Sequence, residues 1–268
     1  MLRIRRLWIA PLLVLALTQA GCISGSGPNA APSAEEQARA HAVRGSQLHY
    51  DLGVASLNEG KPGAAIRELL EAARLAPDSA AVQRALAQAY WHRGRMPEAE
   101  AHLTRALEID PALHGARNNL AAFYIQTERY ELAIEQLEML IDDATFDEPW
   151  TAYTNLGWAA FRLGRLEQAR RELTLALDYR PDYWRARLNL GIVEAEAGNF
   201  QLAIELFEGV LATEPGPRAE SEVHYRLAEI HEALGQRHRA IVHLSEARDR
   251  RPDGTWGKRS TESLERLQ

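Results

Sequence analysis

The sequence predicts an all-α protein: a solenoid of six helix-turn-helix repeats. Three observations carry this. One alanine recurs as Ala65, Ala99, Ala133, Ala169, Ala203 and Ala240, in steps of 34, 34, 36, 34 and 37 residues. A leucine stands thirteen residues before each: Leu52, Leu86, Leu120, Leu156, Leu190 and Leu227. No stretch alternates with the period of two that a half-buried strand needs. A fixed period of this length means a stack of supersecondary units, none of which buries its own apolar stripe alone.

The residues around each marker give the elements in order. After the leucine comes a small residue, Gly53, Ala87, Ala121, Gly157, Gly191 or Ala228, where two helices press together. Gly60, Gly94, Gly164, Gly198 and Gly235 then end the first helix, because glycine accepts the left-handed conformation of a helix stop. Four residues past the alanine, Leu69, Leu103, Leu137, Leu173, Phe207 and Leu244 continue the buried stripe of the second helix. Pro77, Pro111, Pro181, Pro215 and Pro252 follow the alanine by twelve and stop that helix.

The repeats are placed at 46–79, 80–113, 114–149, 150–183, 184–220 and 221–254, with an end cap at 255–268. In that cap Leu264 and Leu267 face the last repeat and Lys258, Arg259, Glu262, Glu265 and Arg266 face water. The third repeat lacks its proline and runs on from Asp142 to Pro149; the junction Pro215-Gly216-Pro217 adds three residues. Both insertions read either as surface loops or as bends where a partner docks. This 34-residue pattern resembles the tetratricopeptide repeat, which implies a right-handed solenoid.

The chain starts differently. Arg3, Arg5 and Arg6 precede an apolar run from Leu7 to Leu17, too short to span a bilayer. With the small residues after it, this describes a secretory leader over 1–21. Ala20-Gly21-Cys22 resembles the lipobox of bacterial lipoproteins, in which the cysteine sulfur carries diacylglycerol and the new amine is acylated. The lipobox usually has Leu, Val or Ile three places before the cysteine; this chain has Gln19. The alternative is an ordinary leader with a chance cysteine nearby. Cys22 is the chain's one cysteine, so no intramolecular disulfide forms. Residues 22–45 read as a Gly, Ser, Pro and Ala-rich tether followed by a leading helix. In the Gram-negative lipoproteins it resembles, Asp after the cysteine favours retention in the inner membrane, so with Ile23 there the resemblance implies the outer membrane, at its periplasmic face.

Removing the leader arginines leaves 28 basic against 37 acidic side chains, a balance of −9. A nucleic-acid partner needs a basic face and is not expected. His231-Glu232 followed by His238 lacks the spacing of a zinc-protease helix. Asp142 and Asp143 read as solvated loop carboxylates. No phosphate loop is present, so no enzyme, cofactor, metal site or small-molecule substrate is expected.

One region is more specific. The run Asn118-Asn119-Leu120-Ala121-Ala122-Phe123-Tyr124, then Tyr130-Glu131-Leu132-Ala133, Asp142 to Pro149 and Asn155-Leu156-Gly157, resembles the type IV pilus biogenesis lipoproteins PilW and PilF and their myxobacterial relative Tgl. The lipobox, the repeat number and the length fit as well. The resemblance implies a pilotin, a non-catalytic outer-membrane lipoprotein that binds secretin subunits and promotes their assembly. A general envelope scaffold recruiting peptidoglycan enzymes or proteases is the alternative.

In tetratricopeptide solenoids the first helices line a concave face through their fifth, ninth and twelfth positions. Here these include Tyr50, Val54, Leu57, Trp91, Ile125, Trp158, Phe161, Leu188, Ile192 and Tyr225. They form the expected partner-binding groove, partly exposed, or else they pack on one another or on the 34–45 helix. Asn119, Asn155 and Asn189 recur at the sixth position, where an amide both donates to and accepts from a peptide backbone; repeat consensus alone also accounts for them. Arg84, Arg117 and Arg187 are scattered and form no evident clamp for a carboxylate.

Overall fold

The computed structural model describes residues 33–267. The leader, Cys22 and the tether as far as residue 32 lie outside them. Thirteen helices are described: α1 (Ala34–Asn58), α2 (Pro62–Leu75), α3 (Ala80–His92), α4 (Met96–Ile109), α5 (His114–Gln126), α6 (Tyr130–Ile141), α7 (Pro149–Arg162), α8 (Leu166–Tyr179), α9 (Trp184–Glu196), α10 (Phe200–Leu211), α11 (Pro217–Ala233), α12 (Arg237–Arg250) and α13 (Thr255–Leu267). No strand occurs among the described residues. Two compact units divide after His41. In the first, Ser33 and Glu36 form a reciprocal capping box: each side chain accepts from the other's backbone N–H.

From Ala42 onward the helices pair as α1–α2 through α11–α12. Each pair turns the same way. In the second repeat, Arg95 N–H reaches back to Tyr90 C=O at 2.9 Å and Gly94 N–H to Trp91 C=O at 2.9 Å. That is the Schellman closure, and it needs a left-handed residue. The five turn glycines supply it, with φ between +69° and +80°. The third repeat makes the same closure without a glycine: Glu128 takes φ +60°, and Arg129 N–H bonds Tyr124 C=O at 2.8 Å.

Packing follows from the small-to-large pairing. The six marker alanines are wholly buried, and their partners Leu69, Leu103, Leu137, Leu173, Phe207 and Leu244 are buried with them. The period leucine of each repeat reaches the second helix of the repeat before it. Leu86 meets Ala65 and Leu69, Leu120 meets Leu103, and Leu156 meets Leu137. One core therefore runs through all six pairs. Leu52 departs from its counterparts: it is 46% exposed. Among the described residues no helix precedes α1, and none offers Leu52 a second helix to enter.

Ion pairs tie neighbouring repeats. Arg129 forks onto the Glu100 carboxylate at 2.8 and 2.9 Å, and Arg170 holds Glu194 with Nε at 2.5 Å. Glu194 is almost fully buried; the Arg170 bonds, aided by Asn199, hold its carboxyl below the usual range against the opposing effect of burial.

Both insertions have defined structure. Pro217 starts α11 four residues before Ser221, with Gly216 at φ +95° leading into it. Between α6 and α7, Asp143 does not stand free in water as its loop position suggested. It accepts from His114 Nε2 at 2.8 Å and from Thr145 Oγ1 at 2.6 Å, while Phe146 meets the His114 ring edge-on. Hydrogen bonds from Thr145 and His114 hold the Asp143 carboxyl well below the usual range. At the other end, α13 buries Leu264 against Ala228 and Leu244, and Leu267 packs beside them.

Candidate partner-binding groove

The first helices make the inner layer of the stack. Neighbours α5–α7, α7–α9 and α9–α11 touch, whereas among the described residues consecutive second helices make no more than marginal contact. The inner surface of these repeats is therefore built from α5, α7, α9 and α11, and α3 and α1 join it through the Trp91–Gln126 bond and through Tyr50, Val54 and Leu57.

The candidate side chains take different places on it. Tyr50, Val54 and Leu57 are half-buried and lean on the second repeat's core. Trp91 donates from Nε1 to Gln126 Oε1 at 2.8 Å, and Phe123 meets its ring edge-on. Ile125 packs toward the cluster of Leu156 and Ala159. Trp158 and Phe161 lie with ring centroids 5.3 Å apart against the core of the fifth and sixth repeats. Leu188 and Ile192 depart from the expected partial exposure: at 7% and 8% exposed, they belong to that core, because Trp158 and Phe161 pack over it. Tyr225 sits beside Trp256 of α13, ring centroids 5.2 Å apart.

The asparagines are half-buried and line hollows. Asn119 borders a hollow of about 650 Å³ with Arg84, Gln88, Trp91, His92 and Gln126. Asn155 and Asn189 border a second, of about 510 Å³, with Trp184, Arg185, Arg218 and Glu222. Asn155 Nδ2 also donates to Asn118 Oδ1 at 3.4 Å, so one amide edge is engaged within the protein. Arg117 and Arg187 are structural: each donates to a backbone carbonyl six residues upstream, that of Pro111 and of Pro181.

Sequence reasoning missed Gln88, Arg185, Arg218 and Glu222. The signal was available for one of them: Gln88 is a ninth-position residue, whereas Arg185 and Glu222 stand second in their repeats, outside the positions read as inward. Burial pushes the Glu222 carboxyl up, against the pull of Arg226.

This surface offers a half-buried aromatic and aliphatic strip flanked by amides and a few charges. Such a strip takes apolar side chains of an extended or helical partner, while the amides pair with its backbone. Among the described residues no group of three or more His, Cys, Asp or Glu side chains is arranged to hold a metal ion, and no helix is long and apolar enough to cross a membrane.

Comparisons with known proteins agree with this architecture. Two family models, each described as Tetratricopeptide repeat, match residues 50–114 and 154–220, and residues 91–156 and 194–256. Together they span 50–256. Cellulose synthase operon protein C of Escherichia coli K12 is 38% identical over 84 residues; the match covers 31% of this chain and only 7% of that protein. Among solved structures, PilF of Pseudomonas aeruginosa is similar with a TM-score of 0.69 at 18% identity, over 84% of this chain and 99% of that one. PilW, described as a widely conserved type IV pilus biogenesis factor, has a TM-score of 0.73 at 18% identity, over 80% and 97%. The Cut9–Hcn1 assembly of the APC/C reaches 0.70 at 19% identity, over 83% of this chain but 42% of that one. Similarity at this identity is similarity of fold. The helix pairs, their left-handed stops and the matched residues give one conclusion: the chain belongs to the tetratricopeptide-repeat family.

Proposed function

We propose that the protein is a non-catalytic envelope lipoprotein, anchored through Cys22 at the periplasmic face of the outer membrane. There it binds secretin subunits in its groove and promotes their assembly for type IV pilus biogenesis. The observation that supports this reading is mutual extent. The chain matches 99% and 97% of the lengths of PilF and PilW over 84% and 80% of its own, while it matches less than half of the Cut9–Hcn1 chain. A repeat array can have any number of units, so agreement over the entire length is more informative than agreement of the repeat itself. The docked insertion Asp142–Glu148 adds to it, because the sequence resemblance to that family centres there.

The second reading is a general envelope scaffold. It is favoured by the higher local identity, 38%, to cellulose synthase operon protein C.

A deletion strain separates the two. Envelopes are probed for heat-stable secretin multimers, with complementation by the wild-type chain and by Cys22→Ala. Multimers lost on deletion and restored by wild type support the pilotin reading, and failure of Cys22→Ala supports the anchor. Normal multimers in the deletion strain would remove that reading in favour of the scaffold.

A further inference from the structure

The two ends of the array are finished differently. At the C-terminal end α13 covers the last pair. At the other end, α1 carries the face that every later first helix buries. Leu48, Leu52 and Ala55 occupy the places that Val82, Leu86 and Ala89 hold one repeat on. Those three are buried against Ala65, Leu69 and Ala72. On α1 the same positions are open: Leu48 is 58% exposed, Leu52 46%, and Ala55 is exposed. Among the described residues nothing packs on this face.

We propose that the face is an interface between two copies of this chain, with α1 pairing antiparallel across a two-fold axis near Leu48. The argument is charge complementarity. Arg44, Leu48, Asp51, Leu52 and Ala55 fall on one side of the helix, at i, i+4, i+7, i+8 and i+11. Arg44 and Asp51 stand seven residues apart with Leu48 between them, about 10 Å along the axis at 1.5 Å per residue. Turning a second copy about an axis beside Leu48 brings each Arg44 within reach of the other copy's Asp51 and sets the two Leu48 side chains together, with Leu52 flanking them. The contact is self-complementary, as a two-fold interface must be. Both charges are exposed: Asp51 accepts from Gln47 at 2.8 Å, and Arg44 forms no ion pair within the described chain. A parallel arrangement would set like charges together instead. The groove residues Tyr50, Val54 and Leu57 lie on the other side of α1, so pairing leaves the groove open.

Sedimentation of the full chain over a wide concentration range tests this, with Arg44→Asp, Asp51→Arg, the double exchange and Leu48→Asp. Circular dichroism controls for folding. The expected result is reversible dimerisation of wild type. Each single charge reversal weakens it by about tenfold or more, because two like-charge contacts replace two pairs. The double exchange restores it, and Leu48→Asp removes it. A wild type that stays monomeric at every concentration overturns the proposal, whether because residues before 33 cover the face or because another protein does. Dimers insensitive to all four variants overturn it as well, by placing the interface elsewhere. Dimers lost in Leu48→Asp but not rescued by the double exchange refute the antiparallel pairing.

Discussion

Substituting Gly191 by alanine tests the pairing rule on which the core is built. A Cβ on Gly191 would stand 2.6 Å from Phe207 Cε1, 2.8 Å from Cδ1 and 3.1 Å from Cζ. Carbon atoms in contact sit about 3.5–4.0 Å apart, so the ring must retreat by about 1 Å. It has little room, being fully buried among Val210, Val223 and Leu227. Overpacking of this kind costs about 1–3 kcal/mol, and the gain in helix propensity over glycine returns about 1 kcal/mol. The net expectation is a loss of about 1 kcal/mol. Phe207→Leu alone leaves a void and costs about 1–2 kcal/mol, by interpolation from core truncations. The double variant reproduces pairs the chain already uses: Ala87 with Leu103, Ala121 with Leu137 and Ala228 with Leu244. It keeps the propensity gain and loses the clash, so it should lie within about 1 kcal/mol of wild type, with favourable coupling of about 2 kcal/mol. Urea unfolding followed by circular dichroism gives the cycle, and amide exchange in α9 and α10 confirms that the change is local. Effects that add to within about 0.5 kcal/mol would refute the idea that this position and its partner are chosen together.

Glu128→Gly should stabilise the third repeat by about 1 kcal/mol, since a left-handed non-glycine residue costs about that much; the gain appears as a raised urea midpoint, and a loss would mean that the 3.4 Å Arg162–Glu128 pair outweighs the backbone strain. Charging the groove with Trp158→Glu and Phe161→Glu should abolish partner capture in a pull-down while helicity persists, and retained capture would place the partner elsewhere. The last repeat should loosen in acid. His243 is pushed down to about 4, first by burial and then by the neighbouring His224 and His231, so the unfolded chain, at about 6.5, binds its proton first. Stability from this site is complete above about pH 6.5 and lost as pH falls toward 4, by about 2 kcal/mol after allowance for partial exposure. Glu246 opposes the shift, and Arg239 adds to it. Amide exchange of α11 and α12 at both ends of that range reads the effect, and His243→Gln should flatten it.

The elements were legible because they answer to local rules repeated six times. An alanine facing a large residue, a left-handed stop and a terminating proline each leave a mark in the sequence. The marks stay in register because each repeat meets the same kind of neighbour. Where that condition fails, the reading fails. Leu52 has the consensus residue but, among the described residues, no upstream helix, so the same letter that is buried in Leu86 is exposed. Asp143 looked like a loop carboxylate because its partner His114 is twenty-nine residues away, on the preceding first helix.

The groove was less legible for a related reason. Inward positions are free of the packing rules that fix the alanines and leucines, so their residue types vary from repeat to repeat. Whether such a residue is open depends on what its neighbours bring. Leu188 and Ile192 are closed because Trp158 and Phe161 pack over the core they join, and Tyr225 has Trp256 beside it because α13 follows the last pair. Tyr50, Val54 and Leu57 are half-buried against the next first helix and its core. A residue's place in the repeat therefore gives the direction of its side chain, and only the adjoining repeats decide whether a partner can reach it. The same logic makes α1 informative. Its Leu48 and Leu52 carry the residue types of an inter-repeat contact at a position where the described residues supply no repeat. Charges at Arg44 and Asp51 do not by themselves close such a face against water, because the two leucines between and beside them remain more than 40% exposed. An apolar helix face of this kind, bracketed by opposite charges, is better matched by its own inverted copy than by solvent, and the charge-exchange variants test that match directly.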